Sequence, residues 1–132
     1  MKKVKSITLS LVLLTVGIML ISACSGKGIE GHWVLNEEIE YDGNVLKKAD
    51  LDNIGVSEEY TISGNEVHYV CNTSFAKKPI EIDFELVDKG NNTYDFNMNS
   101  FVFASDVKVK GNKMSYYVGE GTGRTQMIYV RK

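Results

Sequence analysis

The chain has 132 residues, 43% of them hydrophobic, with 15 basic and 17 acidic side chains. That length allows one domain, or one domain and a targeting segment. The small acidic excess excludes the basic surplus that binding nucleic-acid phosphates requires, and a charged fraction of 24% with one proline excludes a disordered or collagen-like chain.

Apolar residues crowd the start of the chain. Lys2, Lys3 and Lys5 precede a nearly unbroken apolar run from Ile7 to Ala23, which predicts a secretory signal-peptide helix over residues 1–23. These residues hold three lysines and no acid, so without them the acidic excess rises from two to five. The run ends in Leu20-Ile21-Ser22-Ala23-Cys24, an aliphatic pair, two small residues and a cysteine. This ending resembles the lipobox of bacterial lipoproteins. The resemblance implies cleavage before Cys24, a diacylglycerol on its sulfur, and acylation of the freed amine by a chain such as palmitate. It also implies a protein held by that lipid on the extracytoplasmic face of the bacterial cell envelope. Two or more acyl chains anchor stably where one binds only marginally. Residues 24–30 then form the lipidated cysteine and a short glycine-containing tether, reaching roughly 20 Å at most. With Cys24 committed to lipid, Cys71 has no partner in the chain. Its place in the apolar run Val67-His68-Tyr69-Val70-Cys71 predicts burial.

Residues 31–132 read as one all-β domain. Ile80, Ile82, Phe84 and Leu86 alternate with Glu81, Asp83 and Glu85, and Tyr94, Phe96 and Met98 alternate with Asp95 and Asn97, the period of strands with one wet face. Gly- and Asn-containing turns delimit predicted strands at 32–41, 58–63, 66–73, 80–88, 93–99, 101–110, 113–119 and 124–131. A short helix over Lys47–Ile54, with Leu51 and Ile54 as its apolar side, interrupts the first connection. Eight strands joined by hairpins predict an antiparallel meander, and closing it into a barrel removes its exposed edges. An open sheet or sandwich is the alternative.

Gly31-His32-Trp33 opens the first strand, and Arg131 closes the last. The pair resembles the G-x-W signature and terminal arginine of lipocalins. A second lipocalin motif, in mid-barrel, has only a loose counterpart in Asn92-Thr93-Tyr94-Asp95. The resemblance implies an eight-stranded lipocalin-like barrel in which Trp33 plugs the closed end. Arg131 would pack across its ring, a cation–π contact of about 0.5–2 kcal/mol.

Catalytic and metal-binding chemistry finds little support. His68 and Cys71, three apart in a strand, face opposite ways, and His32 lies on the face opposite Trp33. The segment Asp50–Gly55 resembles the opening of a calcium loop, but Ile54 stands where an oxygen ligand belongs and Thr61 where a bidentate glutamate does. Gly119-x-Gly121-x-Gly123 precedes no helix that would complete a phosphate loop. No nucleophile has an activating neighbour, so a non-enzymatic protein without metal or cofactor is expected.

Leu35, Ile62, Tyr69, Phe84, Phe96, Tyr116 and Tyr129 are predicted to project inward. A barrel of this size is either filled by side chains or holds one small ligand. The expected role is binding a small apolar or amphipathic molecule, with Tyr69, Phe84, Phe96 and Tyr116 as candidate lining residues. The alternative is an inhibitor, immunity or envelope-assembly protein whose acidic stripe, Glu81, Asp83 and Glu85 with Asp88 beyond, meets a cationic protein or peptide.

Overall fold

The structure, a computed structural model, describes residues 28–132; the expected signal peptide, Cys24 and the tether as far as Lys27 lie outside the described residues. The strands are β1 (Gly31–Glu40), β2 (Val45–Lys47), β3 (Ser57–Ser63), β4 (Glu66–Asn72), β5 (Ile80–Gly90), β6 (Thr93–Met98), β7 (Phe101–Lys110), β8 (Lys113–Val118) and β9 (Thr125–Arg131). A six-residue helix, α1 (Lys48–Asn53), follows β2. Strands β3 to β9 pair antiparallel in sequence order, β1 pairs with β3, and β1 also pairs with β9 from Trp33↔Arg131 to Glu40↔Thr125. The result is a closed eight-stranded antiparallel meander barrel, the architecture that the alternation and the lipocalin resemblance both implied.

Two details depart from the sequence reading. Strand β2 was not anticipated, since three residues are too few to display an alternation. It borrows the edge of β1 at Glu37–Ile39, beyond the Gly31–Val34 segment used by β3. In α1 only Leu51 is buried, whereas Ile54, expected beside it, is the C-cap residue and is exposed. A helix this short presents one side chain to the barrel before the chain turns away. Its start is fixed by the Asp50 carboxylate, which accepts from the Lys47 amide at 2.9 Å.

One end of the barrel is plugged. Trp33 is fully buried and donates its indole N–H to the Ile29 carbonyl at 2.7 Å. The Arg131 guanidinium lies 4.2 Å from the centre of the Trp33 ring. Arg131 also donates to the Glu30 and Gly28 carbonyls, folding residues 28–30 beneath the barrel and burying Ile29. The glycine before the tryptophan has a steric cause. Gly31 sits at φ +136, and a Cβ there would stand 2.8 Å from Arg131 Nη1. Tight polar turns close the same end, including Asn91-Asn92, both at positive φ as a type I′ hairpin requires.

Above the plug, aromatic rings fill the barrel axis. All seven residues expected to point inward are buried. Tyr60 touches Tyr69, Phe96, Tyr116 and Tyr129 at centroid distances of 4.9–6.3 Å, and Phe84 stacks on Phe103 at 4.5 Å. Each such ring brings a large buried area and favours tilted or edge contacts.

Deleting the plug should be costly. Trp33→Ala is expected to lower the unfolding free energy in urea by about 3–5 kcal/mol, and a loss below about 1 kcal/mol would show that the plug does not hold the closed end.

Candidate functional site

The opposite end of the barrel has a different character. Every large hydrophobic side chain exposed among the described residues lies there. Tyr41 ends β1, Ile54 follows α1, and Phe75, 93% exposed, tops the loop before Ile80 at the start of β5. Met98, Phe101 and Val102 flank the β6–β7 turn, and Tyr117 and Val118 end β8. Single exposed apolar residues are ordinary, but their collection on one rim makes it the candidate contact surface. Leu51 of α1 is buried against the barrel core, and Ser74 holds this segment by donating to the Ile54 carbonyl at 3.2 Å.

Inside the rim the wall turns polar. The cause is a β-bulge in β1: Leu35 faces Tyr129 but Glu37 faces Ile128, so Asn36 is an extra residue. Unbroken alternation from Trp33 and Leu35 would bring Glu37 and Ile39 inward. After the bulge Glu38 opposes inward Met127 and Glu40 opposes Thr125. On β3, Glu58 continues the inward series of Tyr60 and Ile62 and opposes Cys71. Among the described residues no lysine, arginine or histidine pairs with Glu38, Glu40 or Glu58. Burial, followed by the neighbouring Glu58 and Glu40 charges, pushes the Glu38 carboxyl above the ordinary range.

Glu58 terminates a chain of buried hydroxyls. Those of Tyr60 and Tyr116 are 2.7 Å apart, those of Tyr116 and Tyr129 are 2.9 Å apart, and Tyr129 donates to Glu58 at 2.8 Å. Burial holds the three phenols far above the usual tyrosine range, so they remain neutral donors. Tyr69, on the next strand, is near enough to Glu58 and Cys71 to feel both groups, and burial foremost raises its phenol. Cys71 is half-buried at the rim rather than sealed inside, and burial raises its thiol, making it a weak nucleophile.

The wall is thinnest between β7 and β8. Their ladder has three pairs, from Lys108↔Ser115 to Lys110↔Lys113, and stops short of the rim. A second bulge bends β7 here: Ser105 and Asp106 are both spanned by Asp95, and Asp106 adopts φ +54. Asp95 secures the bend by accepting from the Asp106 amide at 2.9 Å, and Lys89 bridges the two carboxylates. A groove of about 540 Å³ overlies the gap, lined by Ser105, Asp106, Tyr116, Tyr117 and Gln126 among others.

Tyr69, Phe84, Phe96 and Tyr116, the candidate lining residues, are all in the packed interior, with Tyr69 reaching the carboxylates at the mouth. Glu58 was within reach of sequence reasoning, being in phase with Tyr60 and Ile62; Glu38 was hidden by the bulge. His32 faces outward as expected, its Nε2 lying 2.6 Å from Glu59. In the acidic stripe, His68 sits between Asp83 and Glu81, with Nδ1 and Nε2 at 2.6 and 3.1 Å from their oxygens. Glu85 continues that outer face, whereas Asp88 turns to the closed end and accepts from the Gly90 amide. Among the described residues no three His, Cys, Asp or Glu side chains are grouped to hold a metal ion. No family model matches the sequence, and no curated protein matches it.

Tyr116→Phe removes the central hydroxyl of the buried chain and should cost about 1–3 kcal/mol in urea unfolding; a change below about 0.5 kcal/mol would show that Tyr60 finds another partner. His68 makes a different prediction. Both its ring nitrogens can donate only when the ring is charged, and the Asp83 hydrogen bond foremost holds its pKa above the ordinary value. These contacts are complete below the free-histidine range and lost as pH rises through the raised value. Titration followed by NMR should therefore give His68 a higher pKa than a free histidine, and Asp83→Asn should lower it more than Glu81→Gln.

Proposed function

We propose that this protein is a lipid-anchored extracytoplasmic binding module, without catalytic activity, that takes a small apolar or amphipathic molecule at the open end of its barrel. The observation that carries the reading is the segregation of exposed large hydrophobics to that rim. Polar turns and an aromatic plug occupy the other end, and side chains fill the axis, so the ligand sits at the mouth rather than deep within. The lipoprotein part rests on Leu20–Cys24. It is compatible with the geometry, because Gly28 is held at the closed end by Arg131. Four residues from Cys24 to Gly28 span about 14 Å at full stretch, which would set the closed end near the membrane and turn the mouth away from it.

Two measurements test this. Intact mass of the chain purified from its membrane should show loss of residues 1–23 and gain of acyl groups, both abolished by Cys24→Ser; an unmodified full-length mass would overturn the anchoring. Native mass spectrometry after extraction in gentle detergent should show a small-molecule adduct that Phe101→Asp with Val118→Asp removes. A barrel that carries nothing and takes up nothing across a panel of lipids and metabolites would overturn the binding role.

A further inference from the structure

The apolar rim leaves open which amphipath it receives, and the inward wall beneath it narrows the choice. We infer that the molecule bound at the mouth is a cationic amphiphile, an organic ammonium on an apolar chain, with its head against Glu58 and Glu38 and its chain on the rim. This rests on the proposed binding at the open end and adds the charge of the ligand.

Two carboxylates face the mouth, Glu38 from β1 and Glu58 from β3, while Glu40 at the exposed end of β1 accepts from the Asn44 side chain. No cationic side chain among the described residues answers them, although the outer wall pairs its own acids with His32, His68 and Lys89. Like charges in a partly desolvated cleft repel, and the Glu38 carboxyl is raised first by burial and then by the neighbouring Glu58 and Glu40 charges. An ammonium would relieve that repulsion. A neutral head would leave it in place, and an anionic head would add to it.

The two carboxylates differ in preparation. Glu58 is oriented by the Tyr129 hydroxyl, which leaves it a fixed acceptor. Among the described residues Glu38 has no side-chain hydrogen-bond or ion-pair partner, so it can adjust to the head. The apolar chain has the rim at Met98, Phe101 and Val118, continuous with the gap between β7 and β8.

The test uses the full chain, solubilised, and three probes with the same alkyl tail below their micellar concentrations: dodecylammonium, dodecyl maltoside and dodecanoate. Calorimetric titration should give the cation an affinity about tenfold or more above the neutral probe, with the anion weakest. Glu58→Gln combined with Glu38→Gln should reduce the cation's advantage to about twofold or less while neutral binding persists. Equal binding of the three, or tighter binding of the anion, would overturn the charge assignment and leave binding at the mouth standing. Binding of none of them would overturn the charge assignment, and a negative lipid and metabolite panel would then overturn the binding role as well. Should the double variant fail to fold, the wild-type salt dependence decides: cation affinity should fall with added sodium chloride, and a salt-independent affinity would overturn the assignment.

Discussion

A closed sheet has no free edges, and here closure falls to one strand. β1 must pair with β9 along most of its length while giving its other edge first to β3 and then to β2. The strand meets both ends of the barrel, and the two ends need different side chains inside. At the closed end Trp33 must point inward to be pinned by Arg131 and Ile29. At the mouth the extra residue Asn36 reverses the phase, which brings Glu38 inward and carries Ile39 out to the wall. A single bulge thus separates a hydrophobic plug from an acidic mouth, and the charge of the mouth depends on it.

The filled axis decides where anything can bind. Tyr60, Tyr116 and Tyr129 keep their hydroxyls satisfied by one another and by Glu58, so no ligand is needed to complete them. A buried polar network of this kind is stable only when each member has a partner. Packing fills the barrel axis up to the tyrosine chain, and Glu58 ends that chain on the side of the mouth.

Much of this was legible in the sequence because alternation is a direct record of which face is wet. The eight barrel strands, their hairpins and all seven inward residues follow from period two and turn chemistry. Gly31, Trp33 and Arg131 were visible as a motif, and the reason for the glycine emerged only as a clash with Arg131 Nη1. What stayed hidden were events that break the period. The bulges at Asn36 and at Ser105-Asp106 leave no local signature, since Asn, Ser and Asp are as common on an exposed strand face. β2 was too short to show a pattern, and Ile54 looked apolar in phase with Leu51 although the helix ends before it. The gathering of Phe75, Phe101 and Tyr117 on one rim is equally invisible in the chain, because each lies in a different connection and only the meander brings them to the same end.

The three-pair ladder between β7 and β8 also bears on how fast a guest at the mouth would exchange. Backbone opening is easiest where the fewest hydrogen bonds must break together, and every other neighbouring pair in the barrel is joined by a longer ladder. The seam beside the mouth therefore has the fewest hydrogen bonds to break, while Trp33 and Arg131 pin the other end. A guest chain would enter and leave sideways as that seam widens, and its residence time would be set by the stiffness of the Asp95–Asp106–Lys89 brace rather than by the depth of the mouth.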